Sequence, residues 1–239
     1  MRLVGCSTGA IARGDFSSAL DILRSQGIDV VEVSLLREEE LMPFVRFLEG
    51  DCGIMEDFSV VSIHAPKSFS NITEEQAVEL LKPVFARNWP VVVHADSIVR
   101  PDCWSGLGNL VCIENMDSRK KIGRTARELE KVFRRLPEAS FCFDIGHARQ
   151  VDRTMTHAEE MIQAFGDRIR MLHVSEVSLT GEHQLLSRMA MMSYRHIAAM
   201  LPEDAPAVIE SPVASETIAH EVRRVRESLQ CRRSGALAG

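Results

Sequence analysis

The sequence predicts one α/β domain, a (β/α)8 TIM barrel with a short, irregular fourth βα unit, and three observations support this. Short apolar runs alternate with segments of helical pattern, the runs recur at intervals of roughly 30 residues, as a βαβ repeat requires, and ionisable side chains stand where the runs end. The chain has 239 residues, 45% of them hydrophobic, which is enough to bury the core of such a barrel. An open doubly wound sheet is the alternative, but no Gly-rich dinucleotide-binding turn follows the first run.

Eight apolar runs are predicted to be the barrel strands. Several are nearly all apolar rather than alternating, which is typical of strands that are covered on both faces in a parallel sheet. We therefore expect the barrel over residues 1–230 and a flexible tail over residues 231–239. The predicted strands are Leu3–Cys6, Val30–Val33, Val60–Ile63, Val91–Val93, Leu110–Ile113, Phe141–Phe143, Ile169–Val174 and Ala207–Ile209.

The segments between the runs carry the signals of helices. Thr73 and Gln76 form a predicted capping box, and Thr156 and Glu159 form another, because in each pair a hydroxyl and a longer polar side chain stand three residues apart before an apolar pattern. Between the fourth and fifth runs only residues 97–108 are left to form a helix, so the fourth helix is predicted to be truncated. A methionine-rich stretch is predicted to pack in the core, with an interface as the alternative; it comprises Met189, Met191, Met192 and Met200.

Composition narrows the class of protein. The formal net charge of −6 gives no overall attraction to nucleic acid. The six cysteines are scattered without a Cys-x-x-Cys pair, which favours free thiols in a reducing compartment. No apolar run approaches the roughly 18 residues of a membrane span, and no signal-peptide pattern opens the chain. We therefore expect a cytoplasmic protein with no membrane partner.

Carboxylates and imidazoles gather at the predicted strand ends, which in a parallel barrel open on the same face. Glu114, Asp144 and Glu210 would crowd three carboxylates into one mouth, where like charges repel unless a cation lies between them. With His173 they predict a divalent-metal site: such a donor set suits manganese, magnesium, cobalt or zinc, and additional histidines favour zinc. The remaining strand-end residues of these types are Glu32, His64, His94, His147 and His183, whereas three histidines fall on predicted outer helices: His157, His196 and His220.

Six strand-end motifs carry a resemblance to a known superfamily. They are Ser62-Ile63-His64-Ala65-Pro66, Val93-His94-Ala95, Ile113-Glu114-Asn115, Phe143-Asp144-Ile145-Gly146-His147-Ala148, Leu172-His173-Val174-Ser175 and Ile209-Glu210-Ser211. Together they resemble the xylose isomerase-like TIM barrel superfamily, which includes sugar phosphate isomerases and epimerases and endonuclease IV-like proteins. The Asp-x-Gly-His motif is the most specific of them, and the match covers nearly the whole predicted barrel.

The resemblance implies roles for particular residues. Glu114, Asp144, His173 and Glu210 would hold a common metal ion. In the epimerase-like members the two glutamates also exchange protons with the substrate, so Glu114 and Glu210 would form the acid–base pair. His147, which would contact the substrate, completes the set of candidate catalytic residues.

The endonuclease IV-like members imply a second metal ion. His64 and His94 would bind it, with Glu114 as the bridging carboxylate. The chain departs from both branches: Lys67 stands where the DNA-repair branch commonly has an aromatic residue, and Leu179 stands where the ketose-epimerase branch has arginine.

A third metal ion of that branch would be held by His147 and His183. The family pattern places an aspartate two residues before the second of these histidines, and this chain has Gly181 there. Whether Glu176 or Glu182 replaces the missing aspartate stays open at this point.

Two functions follow. The first is a metal-dependent isomerase or epimerase acting on a small sugar, sugar phosphate or related hydroxy-carbonyl compound, with His64, Lys67 and Arg149 as candidate substrate-binding residues. The alternative is an endonuclease IV-like zinc phosphodiesterase acting on abasic DNA, against which the chain offers few aromatic side chains for base stacking, with one Tyr and two Trp. A barrel that binds without chemistry is a third class, because fold alone does not fix function. The substrate and any homo-oligomerisation stay open.

Overall fold

The computed structural model describes residues 2–50 and 52–230. Eight parallel strands close into a barrel, which confirms the predicted fold. The predicted tail, residues 231–239, lies outside the described residues. The barrel strands are β1 (Val4–Ser7), β2 (Val30–Ser34), β3 (Val60–His64), β4 (Val91–His94), β5 (Val111–Glu114), β6 (Ser140–Asp144), β7 (Ile169–Val174) and β10 (Ala207–Ile209). Around the barrel they follow one another in the order β1-β10-β7-β6-β5-β4-β3-β2. Between β7 and β10, an antiparallel hairpin forms from β8 (Glu176–Val177) and β9 (His183–Gln184).

Helices surround the barrel. After β4 the chain forms a helix of only four residues, Asp102–Ser105, because so few residues connect β4 to β5. Within the described part of the chain, no helix is both long enough and apolar enough to cross a membrane. The α-helices are α1 (Thr8–Ile11), α2 (Phe16–Ser25), α3 (Leu41–Glu49), α4 (Glu74–Leu80), α5 (Lys82–Phe85), α6 (Asp102–Ser105), α7 (Ala126–Arg135), α8 (Ile145–Val151), α9 (Thr156–Phe165), α10 (Arg188–Ile197) and α11 (Ile218–Ser228).

One of the two predicted capping boxes is present. The box at Thr73 forms at the start of α4, as predicted. The box at Thr156 was wrong: α9 begins at Thr156 itself, and the preceding Met155 has a φ of 67°. The Asp152 carboxylate accepts a hydrogen bond from the backbone N–H of His157 at 3.1 Å, so an upstream side chain satisfies one N–H group of the first turn. The N–H of Glu159, which the predicted box would bond to Thr156, donates to the Met155 carbonyl instead.

The prediction of a methionine core is half correct. Met191 is buried and Met200 is partly buried against the core, but Met189 and Met192 are 63% and 62% exposed. They are exposed because α10 turns Met191, Tyr194 and Ile197 towards the core, and Met189 and Met192 fall outside that face.

The inward-facing side chains change character along the barrel axis. One layer is apolar, and it forms a cluster of its own, separate from the core between strands and helices: Val30, Val92, Cys112, Cys142, Met171 and Val208. Two residues further along each of these strands, on the same face because side chains alternate along a strand, stands an ionisable residue: Glu32, His94, Glu114, Asp144, His173 and Glu210. Because side chains alternate along a strand, a layer of ionisable side chains lies directly above the apolar layer in the barrel interior.

Candidate metal centre

The structure brings together the four residues predicted to share a metal ion. Glu114, Asp144, His173 and Glu210 each offer one ligand atom, and these atoms lie within 4.8 Å of one another. The Nδ1 atom of His173 lies 3.2 Å from Oε1 of Glu114 and 3.4 Å from Oε1 of Glu210. Three of the side chains are fully buried, and that of Glu210 is 14% exposed. We call these four residues the carboxylate–histidine group.

A second set of donors shares Glu114 with the first. His64, His94 and Glu114 also offer ligand atoms within 4.8 Å of one another. The Nε2 atoms of His64 and His94 lie 3.1 Å and 3.2 Å from Oε2 of Glu114. Oε1 of the same carboxylate faces His173. Glu114 thus has one oxygen towards each set, the arrangement required of a carboxylate that bridges two cations.

Hydrogen bonds behind the ligands hold the imidazole rings in place. Nε2 of His173 donates to Oε2 of the buried Glu32 at 3.1 Å, and the Ser62 hydroxyl donates to the same oxygen at 3.0 Å. Nδ1 of His64 donates to the Ala65 carbonyl at 2.7 Å. In each ring the other nitrogen is left facing Glu114, and such outer contacts fix the tautomer of metal-binding histidines. The sequence placed Glu32 in the second strand but did not assign it this contact.

Without a cation, the carboxylates of the carboxylate–histidine group repel one another. Burial raises the pKa of Asp144 well above its usual value, and the carboxylates of Glu210 and Glu114 raise it further. Burial acts in the same direction on Glu210, but the imidazoles of His173 and His183 outweigh it and lower its pKa to about 2. One carboxyl group is therefore driven to hold a proton while its neighbours stay ionised.

Unsatisfied polar atoms support the same interpretation. Among the described residues, Oδ2 of Asp144 and Oε2 of Glu210 are buried and have no hydrogen-bond partner. Buried polar atoms normally have partners, and an ion is one of the reasons why one can lack them. Carboxylate oxygens with one imidazole form a donor set that suits divalent metals, so the residues present fit the implied metal ion.

The residues predicted for a third metal ion do not come together. The rings of His147 and His183 lie 5.6 Å apart, centroid to centroid, but within residues 2–50 and 52–230 neither belongs to a group of three converging ligands. Nδ1 of His147 is hydrogen-bonded to the Asn115 carbonyl at 2.9 Å, and Nδ1 of His183 is hydrogen-bonded to the Ser175 hydroxyl at 2.9 Å.

Neither Glu176 nor Glu182 takes the place of the aspartate that the family pattern has at position 181. Glu176 lies 3.0 Å from the Arg149 guanidinium and accepts a backbone N–H at 2.8 Å, and the side chain of Glu182 is exposed. Gly181 has a φ of +79°, and a Cβ built there would overlap the guanidinium of Arg119. The site therefore has no room for a side chain at this position.

A cavity of about 570 Å³ opens above the candidate centre. This volume is in the range of small-molecule sites. Glu114 and Glu210 line the cavity, whereas Asp144 and His173 are buried beneath its surface. The other predicted site residues that line it are His64, Lys67, His94, His147 and His183.

The predicted basic residues separate into two places. Lys67 lines the cavity, and within the described residues its ammonium group forms no ion pair. Arg149, also predicted to bind substrate, lines a smaller, separate pocket of about 120 Å³ and is paired with Glu176. That ion pair keeps Arg149 out of the cavity wall, so its placement does not support the prediction.

Sequence reasoning missed a group of charged residues on the cavity rim. Asp117, Arg119 and Lys120 follow β5 and line the cavity. Lys120 lies 2.8 Å from Asp96, which in turn lies 3.9 Å from Nδ1 of His94. A signal was available, because a charged loop directly after a barrel strand lies at the face where such barrels carry their sites.

Comparisons with known proteins agree with the fold. Neither protein-family models nor curated proteins matched the chain. An endonuclease IV structure from Thermus thermophilus has a TM-score of 0.61 at 18% identity and covers 96% of this chain and 99% of that one. A xylose isomerase domain protein from Alicyclobacillus acidocaldarius subsp. acidocaldarius has a TM-score of 0.61 at 14% identity, covering 94% and 97%. A xylose isomerase-like TIM barrel protein from Mycobacterium smegmatis, in complex with magnesium, has a TM-score of 0.53 at 12% identity, covering 91% and 90%.

Fold and site together define a class: a TIM barrel with a candidate divalent-metal centre at the C-terminal ends of its strands. More particularly, the fold is the one shared by xylose isomerase-like TIM barrels and endonuclease IV.

Proposed function

We propose that the protein is a divalent-metal-dependent isomerase or epimerase that acts on a small sugar, sugar phosphate or related hydroxy-carbonyl compound. One observation carries the proposal: of the carboxylate–histidine group, the two glutamates line the cavity and the other two residues lie beneath it. Glu114 and Glu210 can therefore reach a substrate, while Asp144 and His173 serve the ion alone.

The two glutamates are in the ionised form, which is the form of a carboxyl group that accepts a proton. Burial opposes ionisation of Glu114, but the imidazoles of His94 and His173 outweigh it and hold its pKa well below the usual value. Glu210 has a pKa of about 2 for the same kind of reason. Both side chains are therefore ionised at neutral pH and available as bases.

Proton exchange between substrate and protein follows from this arrangement. One glutamate takes the proton from the carbon next to the substrate carbonyl, and a glutamate returns a proton to the neighbouring atom or the opposite face. A bound divalent cation would supply the positive charge that makes this C–H group acidic and stabilises the enediolate. Lys67 and His147 line the same cavity and would orient the substrate oxygens.

Structures of similar fold support the reaction class. The chain shares its fold with xylose isomerase domain proteins and with a xylose isomerase-like barrel that is complexed with magnesium. Fold does not determine the reaction, so the proposal depends on the two cavity-lining glutamates.

Exchange of substrate α-protons with D2O, followed by NMR over a panel of ketoses, ketose phosphates and hydroxy-carbonyl acids, tests the proposal. We expect Glu114→Gln to abolish the exchange that the wild type catalyses. Glu130→Gln, on the outer surface of α7 and not part of the cavity lining, is the matched control and should retain it. Wild-type exchange in Glu114→Gln, or no exchange of any panel member by metal-loaded wild type, would contradict the proposal.

The second donor set favours a second candidate, a zinc phosphodiesterase acting on abasic DNA. His64 and His94 converge on Glu114, and an isomerase with a single cation has less need of them. Against this candidate, Trp104 and Tyr194 are fully buried and so offer no surface on which bases could stack. Nicking of abasic-site DNA in the presence of Zn²⁺ tests it, and no cleavage at high protein concentration counts against it.

A further inference from the structure

The rim of the cavity carries more positive than negative charge. Outside the two donor sets, four cationic side chains line the cavity, together with the two carboxylates of Asp117 and Glu182; the cations are Arg13, Lys67, Arg119 and Lys120. The chain as a whole has a formal net charge of −6. The rim is therefore positively charged on a protein whose formal net charge is negative, and a ligand enters the cavity past this rim.

Arg119 is held rigidly on this rim. Its Nε and Nη2 atoms donate to Asp117, whose side chain is 2% exposed, with Nη2 2.6 Å from Oδ2. Its Nη1 atom donates to the Thr180 carbonyl at 2.9 Å. Contacts on both edges of the guanidinium fix its plane, so little side-chain entropy is left to lose when a ligand binds.

Gly181 leaves the space that the guanidinium fills. A Cβ at Gly181 would overlap the Nε, Cζ and Nη2 atoms of Arg119, so the absence of a side chain there is what admits the arginine. From the sequence, this position showed only that an aspartate was missing. The structure shows a cation standing in its place.

Arg119 still has hydrogen-bonding capacity towards the cavity. A guanidinium has five N–H donors, and the contacts with Asp117 and Thr180 use three of them. The side chain is 49% exposed and lines the cavity. Arg119, with two N–H groups left over, and Lys67, whose ammonium forms no ion pair among the described residues, therefore line the same cavity.

We propose that Arg119, assisted by Lys67, binds the anionic end of the substrate, a phosphate or a carboxylate group, while the oxygens at the other end of the substrate reach the candidate metal centre. The inference rests on the proposed function for its picture of a small substrate. The inference adds a class of substrate, namely small anionic hydroxy-carbonyl compounds, and it assigns Arg119 as a residue that determines specificity.

Calorimetric titration of metal-loaded protein with inorganic phosphate, and separately with acetate, tests the inference. We expect Arg119→Gln to weaken binding of the preferred anion about tenfold, as loss of a charged hydrogen-bonding partner should. Arg124→Gln, in the same loop but paired with Glu128 and not part of the cavity lining, should bind as the wild type does. Arg119→Lys keeps the charge and should fall between the wild type and Arg119→Gln.

The two arms distinguish the ligand: tighter phosphate binding indicates a phosphate ester, and tighter acetate binding a carboxylate. Anion binding to Arg119→Gln and Arg119→Lys that equals the wild type would overturn the inference, because the anion would then be held by the metal centre alone. Anion binding is measured without turnover, so failure of α-proton exchange and failure of this inference are separate results.

Discussion

Nε2 of His173 lies 3.1 Å from Oε2 of Glu32, and both side chains are fully buried. This contact crosses the barrel interior from β7 to β2 and leaves Nδ1 of His173 for the carboxylates of Glu114 and Glu210. Glu32 is therefore a positioning residue: it orients a candidate ligand without belonging to either donor set.

Replacing Glu32 should weaken metal binding without abolishing it. Loss of an outer-shell partner typically lowers metal affinity by about 10- to 100-fold, and we expect Glu32→Gln to lie in that range in a chelator-competition titration. Glu128→Gln removes a surface carboxylate paired with Arg124 and serves as the control. Equal metal affinity in Glu32→Gln and wild type would show that the contact has no orienting role.

Asp144→Asn should stabilise the metal-free protein while removing the ion from the carboxylate–histidine group. The folded-state pKa of Asp144 is raised above 3.8, mainly by burial, so its contribution to stability is complete below pH 3.8 and is lost as pH rises through the folded pKa. An asparagine at position 144 does not ionise, so it loses no stability as the pH rises. Its side-chain oxygen can still accept the hydrogen bond from the His147 backbone N–H, which Oδ1 of Asp144 accepts at 2.7 Å.

The gain in the free energy of unfolding should be present at neutral pH, measured by denaturant unfolding of metal-free protein at several pH values. It should shrink towards zero as the pH falls below 4. A metal-free Asp144→Asn variant that is less stable than wild type at neutral pH would contradict the charge conflict inferred for this group.

Changes in the two donor sets should have different effects on metal content. His64→Ala should leave an ion in the carboxylate–histidine group, because His64 belongs only to the second set, whereas Asp144→Asn should leave no ion there. Elemental analysis of both variants measures this. A second ion in wild type that His64→Ala loses would support the phosphodiesterase candidate, and loss of all metal in His64→Ala would contradict the division into two sets.

Gly181→Ala should destabilise the protein. The φ of +79° disfavours any side chain, and the new Cβ would displace Arg119. We expect a loss of about 1–3 kcal/mol in the free energy of unfolding. Gly106→Ala is the matched control, because its φ is −72° and a Cβ there meets nothing within 4 Å, so it should be neutral or slightly stabilising. Equal stability of the two variants would show that the space beside Arg119 is not restricted.

The sequence predicted well what depends on period and order along the chain. Strands such as Ala207–Ile209 were identified to the residue because buried parallel strands form continuous apolar runs. The convergence of Glu114, Asp144 and Glu210 followed from the rule that parallel strands open on one face.

What the sequence did not predict depends on distances across the structure. The contact between Glu32 and His173 joins residues 141 positions apart. The pairing of Arg149 with Glu176 and the placement of Arg119 beside Gly181 were equally invisible, because composition and spacing do not show which ion pairs form.

Metal content decides whether the carboxylate–histidine group binds an ion. It is measured by elemental analysis of wild-type protein purified without added metal, and again after divalent metals are offered and excess is removed. We expect at least one divalent ion per chain after metal is offered, retained by Glu130→Gln on the outer surface of α7 and reduced in Asp144→Asn. No bound metal in the wild type, even after metal is offered, would contradict the assignment of Glu114, Asp144, His173 and Glu210 as a metal centre.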